Sequence, residues 1–136
     1  MRLLSFVLLL MSPAAFADIY VVVGANSKLQ SITKEQLGKL YLGNSRGMKK
    51  QRITILDRDG SLREDFFDQV TGLSISQVNA HWAKLKFSGR VRAPLVMKSD
   101  EQLVERLRVD KNALSYVTQK PVGSDIRVIL TIKNDE

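Results

Sequence analysis

The stretch ITILDRDGSLRE, residues 53–64, decides the fold. Ile53 to Leu56 is a short β-branched and apolar run, as expected of a strand. Asp59-Gly60 is a tight turn, because glycine reaches the positive φ that such turns need. Ser61, with Glu64 three residues later, has the pattern of a capping box, and Leu62, Phe66, Phe67 and Val70 carry helical spacing beyond it. A strand that turns tightly into a helix is a building unit of α/β architecture.

The same punctuation recurs outward from this segment. Thr33/Gln36, Ser74/Gln77 and Ser99/Gln102 repeat the capping-box spacing. Behind them come Leu37, Leu40 and Tyr41; Ile75, Val78, Trp82 and Leu85; and Leu103, Val104 and Leu107, each set at helical intervals. Strands are predicted at Ile19–Val23, an unbroken apolar run suited to burial on both faces, and at Ala113–Val117 and Ile126–Ile132, with a short strand before the last helix. The order β-α-β-α-α-β-α-β-β predicts an α/β sandwich, with four helices packed on a mixed sheet. No repeat, low-complexity tract or interior linker divides it.

With 136 residues, the chain is long enough for one domain. It has no cysteine, which excludes disulfides, zinc-thiolate sites, iron–sulfur clusters and thiol nucleophiles. Its single histidine, His81, leaves little for a metal site or a Ser-His-Asp relay. No enzymatic activity, metal or cofactor is expected. His81 reads as a boundary residue and Trp82 as core.

Residues 1–17, MRLLSFVLLLMSPAAFA, have the layout of a cleavable signal peptide. Arg2 is the positive start and Leu3–Met11 the apolar run, which is shorter than the roughly 20 residues that span a bilayer. Ala15-Phe16-Ala17 is the small-x-small cleavage site, so the domain is expected to comprise residues 18–136 and to be exported. The chain carries 21 Lys+Arg against 14 Asp+Glu, a formal charge of +7, and cleavage removes only Arg2 from that balance. Nucleic acid is scarce outside the cytoplasm, so no nucleic-acid partner is expected. Two basic clusters, Arg46-Lys49-Lys50-Arg52 and Lys84-Lys86-Arg90-Arg92, leave three readings open: solvated surface, a field that attracts a small anion, or contact with an acidic envelope surface.

Chemistry is best placed at the strand–turn–helix of residues 53–64. Ligands in such sheets bind beyond the C-terminal ends of strands. A helix N-terminus there offers free N–H donors and partial positive charge to an oxyanion. Arg58 precedes the turn, Ser61 adds a hydroxyl, and the amides of Leu62 and Arg63 point the same way. The bland alternative is equally complete: Ser61 as an N-cap, Asp59-Gly60 as turn chemistry, and Arg58 paired with Asp57.

A family resemblance bears on this choice. Ile19-Tyr-Val-Val-Val, Ile32-Thr-Lys-Glu-Gln-Leu37 leading to Tyr41-Leu-Gly43, Arg58-Asp-Gly-Ser61 with Arg63-Glu64 and Phe67, Asn79 with Trp82, and Ala113-Leu-Ser-Tyr-Val117 stand in one order. That ordered set resembles the phosphate-binding protein of bacterial phosphate ABC transporters, a type 2 periplasmic-binding fold. The resemblance implies a single, three-layer-like α/β lobe, a truncated relative of two-lobed proteins. It further implies a periplasmic location and an oxyanion site to which Arg58, Gly60 and Ser61 carry over, with the amides of Leu62 and Arg63 completing the expected cradle. The family's Gly-Ser-Gly-Thr loop is matched at Gly60 and Ser61 but not at its second Gly or its Thr, and Ser115 stands for a family glycine. The implied partners are a small phosphate-like oxyanion, a membrane transporter or sensor, and a second copy of the chain to supply the missing lobe. The alternative function is an envelope interaction module that keeps the fold without the ligand and docks an acidic partner.

Overall fold

The computed structural model describes residues 17–134 apart from Lys49 and Arg90. The expected signal peptide, apart from Ala17, lies outside them. The apolar run near the N-terminus is strand β1 (Ile19–Gly24), flanked on both sides by other strands. The remaining strands are β2 (Thr54–Asp57), β3 (Leu95–Val96), β4 (Ala113–Val117) and β5 (Ile126–Ile132). They form one sheet in the order β3-β2-β4-β1-β5. Strand β2 runs parallel to β3 and β4, whereas β1 is antiparallel to both β4 and β5, so the sheet is mixed as expected. Four helices complete the fold: α1 (Lys34–Tyr41), α2 (Gly60–Thr71), α3 (Ile75–Ser88) and α4 (Asp100–Val109).

Side-chain alternation along β1 and β4 sorts the helices into layers. Val21, Val23, Leu114 and Tyr116 pack with Leu37, Leu40 and Tyr41 of α1, Phe66 and Phe67 of α2, and Val78 and Trp82 of α3. Val22, Ala113 and Val117 face the other way, onto Leu103 and Leu107 of α4. The result is three layers, with helices on both faces of the sheet. At the end of β1, backbone meets backbone: a Cβ on Gly24 would lie 2.3 Å from the Leu107 carbonyl oxygen. Only glycine lets α4 come this close.

Two of the four capping boxes form in full, at Thr33/Gln36 and Ser74/Gln77. Ser99 caps α4, but the Gln102 side chain accepts from the Lys98 amide instead of reaching back to Ser99. The expectation that Ser61 caps α2 is not met. That helix starts one residue earlier, at Gly60, whose φ of +66° turns the chain directly out of the extended Asp59. Asp59 therefore occupies the N-cap position, and its side chain makes no capping hydrogen bond. Among the described residues, no helix is long and apolar enough to cross a membrane.

Candidate functional site

The segment that joins β2 to α2 is anchored by Asp57, the last residue of the strand. Its carboxylate is 4% exposed at the residue level and meets three donors. Oδ1 accepts from the Arg58 amide at 2.8 Å and from the Tyr116 hydroxyl at 2.6 Å, and Oδ2 accepts from Arg63 Nε at 2.9 Å. A buried carboxylate is tolerated only when it is satisfied in this way. Tyr116 stays a donor across the accessible pH range, because burial and the neighbouring Asp57 charge both push its ionisation well above the ordinary tyrosine value.

Arg58 is also buried, and its guanidinium is spent largely on the protein. Nε donates to the Met97 carbonyl at 3.0 Å, Nη1 to the Tyr116 carbonyl at 2.9 Å, and Nη2 to Asp100 Oδ1 at 2.7 Å. The side chain thus ties the end of β2 to β4 and to the first turn of α4. Its acid partner is Asp100, not Asp57, and Asp57 pairs with Arg63. Arg63 adds a bond from Nη1 to Asn79 Oδ1 at 2.9 Å and lies 5.1 Å over the Phe67 ring. This arrangement answers how a cation is tolerated in a first helical turn: the Asp57 carboxylate lies directly beside it. Of the five N–H groups of each guanidinium, Arg58 retains two beyond these bonds and Arg63 three.

A cleft of about 690 Å³ opens in front of these groups. Arg58, Gly60 and Arg63 line it, as do Asp57, Asp59, Glu64, Asn79, Lys86 and Val96. Ser61 and Leu62, expected as ligand residues, are not among the lining residues. Ser61 is exposed, and Leu62 is half-buried against the main core. The lining includes three carboxylates (Asp57, Asp59, Glu64) and three cations (Arg58, Arg63, Lys86), so the charge balances to first order. The first turn of α2, with no side-chain cap, supplies the uncompensated donors.

The first turn is held in place by an aromatic knot beneath it. Phe66 stacks on Tyr116 with centroids 3.7 Å apart and planes 5° apart, and Tyr41 meets Phe66 edge-on at 4.7 Å. The Tyr41 hydroxyl and Ser115 Oγ both donate to the Leu56 carbonyl, at 2.8 and 2.9 Å. Burial, with the Asp57 charge nearby, raises Tyr41 well above the ordinary tyrosine value. Trp82 is core as expected, and its Nε1 donates to the Tyr41 carbonyl at 3.0 Å. His81 is a boundary residue whose Nε2 lies 2.7 Å from the Leu42 carbonyl. The sequence offers Asp57 only as a partner for Arg58 and does not reveal its anchoring role. An aspartate at the end of an apolar strand, next to two arginines, was the available signal. Among the described residues, no group of three or more His, Cys, Asp and Glu side chains could hold a metal ion.

Neither a family model nor a curated protein sequence matches the chain. Its fold is similar to that of an ABC-type phosphate transport receptor from Vibrio cholerae, with a TM-score of 0.62 and 20% identity over 85% of this chain and 46% of that one. It is equally similar to a proposed phosphate ABC transporter substrate-binding protein with bound phosphate from Clostridium perfringens, with a TM-score of 0.62 and 15% identity over 83% of this chain and 45% of that one. The chain spans less than half the length of either protein. It therefore shares its fold, a mixed α/β lobe of the periplasmic-binding type, with part of each of these two phosphate-transport proteins.

Proposed function

We propose that this chain is an exported solute-binding module that recognises a small, phosphate-like oxyanion at the first turn of α2. The observation that carries the reading is the uncapped helix start, facing a cleft with guanidinium groups beside it. The first-turn amides that border the cleft, those of Gly60 and Arg63, are the donors, and the spare N–H groups of Arg58 and Arg63 supply charge-assisted bonds. Arg58 is in addition the strut that holds the turn in place. The fold likeness to two phosphate-transport proteins, one with phosphate bound, supports the same reading. A membrane transporter or sensor is the natural downstream partner, and a second copy of the chain could close over the anion.

The affinity is modest. Three or four donors net about 4–6 kcal/mol after desolvation, a Kd between about a millimolar and tens of micromolar. Thermal unfolding in phosphate at about ten times a millimolar Kd, in ~150 mM NaCl, should raise stability by about 1.4 kcal/mol. Gly60→Ala, which disturbs the amide cradle, should remove that increment. No stabilisation by phosphate in the wild-type chain would overturn the reading. The rival, an interaction module without a ligand, draws support from the fact that both arginines are already paired with protein acids. It predicts no phosphate increment together with retained binding to an acidic polypeptide such as polyglutamate.

A further inference from the structure

At the opposite end of the sheet, one pocket gathers cations, while Asp110 and Asp125 line the neighbouring cavity that shares Lys111 and Asn112 with it. A cavity of about 250 Å³ is lined by Lys28, Lys50, Arg52 and Lys111, with Val23 and Ile53 among its apolar residues. Among the described residues, no aspartate or glutamate lines it. The four cations arrive from three separate segments: the loop after β1, the approach to β2, and the turn before β4. Among the described residues, none of the four belongs to an ion pair, whereas Arg58, Arg63, Arg106 and Arg108 all do. Arg46 and Lys50 line an adjoining cavity with no acid among its described lining residues, and Glu35 joins Arg46 in the cavity beyond it. Like charges brought together by folding repel one another unless a counter-charge joins them.

We infer that this basal pocket binds a small phosphorylated ligand carrying two or more negative charges. Phosphate oxygens suit this donor set, since lysines act as point charges and arginine adds a planar fork. The cavity lies just below the roughly 300–1,000 Å³ usual for small-molecule sites, which limits the ligand to one or two phosphate groups with a small substituent. The apolar residues in the wall fit the substituent. This site is independent of the α2 turn, since none of its lining residues borders that cleft.

The test is amide-resolved NMR titration of residues 18–136 in ~150 mM NaCl, with pyrophosphate in one arm and phosphatidic acid vesicles in a phosphatidylcholine background in the other. The first arm should give saturable shifts at Lys28, Gln51, Arg52, Lys111 and Asn112, with Kd raised about five- to tenfold in Arg52→Gln/Lys111→Gln. Arg52→Lys/Lys111→Arg should restore binding, and Lys84→Gln/Arg92→Gln, outside both sites, should leave it unchanged. Saturation by pyrophosphate identifies a soluble ligand. Binding to the vesicles alone, with the same dependence on Arg52 and Lys111, identifies a lipid headgroup. Shifts scattered over the surface, or binding indifferent to the Arg52 and Lys111 substitutions in both arms, would overturn the inference.

Discussion

The two ends of the sheet treat positive charge in opposite ways. Beyond the C-terminal end of β2, Arg58 and Arg63 are paired with Asp100 and Asp57, and bonds to the Met97 and Tyr116 carbonyls and to Asn79 tie neighbouring elements together. At the other end, Lys28, Lys50, Arg52 and Lys111 surround a cavity with no acid among its described lining residues. Charge at the first end is architecture, and what it leaves open is a helix N-terminus. Charge at the second end makes no ion pair among the described residues, and what it leaves open is a cationic pocket. A count of basic residues cannot distinguish these uses; the partners do.

The sharpest way to break this contrast is to remove the carboxylate at its centre. Asp57→Ala strands Arg63, the Tyr116 hydroxyl and the Arg58 amide in a largely buried setting, and should lower stability by about 3–5 kcal/mol in urea unfolding. Arg52→Gln/Lys111→Gln at the opposite end should stay within about 0.5 kcal/mol of wild type, or gain slightly as repulsion is relieved. Equal losses at the two ends would erase the distinction.

Alkali probes the same anchor from the tyrosine side. Tyr41 and Tyr116 have folded-state ionisation raised above the unfolded value near 10.0. A group raised in this way contributes stability that is fully present below the unfolded value and is lost as pH rises above it. Each tyrosine should therefore remove about 1.4 kcal/mol per pH unit above pH 10. Their phenolate absorbance should appear together with unfolding in far-ultraviolet circular dichroism, not before it.

Smaller effects sharpen the picture of the turn. Gly60→Ala meets no steric obstacle, since nothing lies within 4 Å of the added Cβ, but it must hold φ at +66°. A cost of roughly 1–2 kcal/mol follows in thermal unfolding. Ser61→Ala should be nearly silent, within about 0.5 kcal/mol, because the helix is not capped there. A loss of about 1 kcal/mol would instead show that Ser61 acts as an N-cap in solution.

The sequence carried the fold further than the site. Strand and helix order was legible because β1 is an unbroken apolar run and three of the helices open with a serine or threonine cap that forms. The mixed sheet followed from that order. The exception was the start of α2, where Asp59-Gly60-Ser61 offered two candidate caps and glycine's positive φ favoured the earlier start. The partners of Arg58 were not legible. Met97, Asp100 and Tyr116 lie 39, 42 and 58 residues away along the chain, and only the sheet order brings them together. The basal pocket was half legible: Arg46, Lys50 and Arg52 stood as a basic cluster, but Lys111 joins it through the pairing of β2 with β4, and Lys28 through that of β1 with β4.

The central claim is that the uncapped first turn of α2 holds an oxyanion. Its most direct test is an amide-resolved NMR titration of residues 18–136 with inorganic phosphate in ~150 mM NaCl, with sulfate at matched ionic strength as the control. The account predicts saturable shifts centred on Arg58–Glu64, lost in Gly60→Ala and retained in Arg52→Gln/Lys111→Gln. Shifts that never saturate, or that leave Gly60 to Arg63 unmoved while phosphate binds elsewhere, would contradict it.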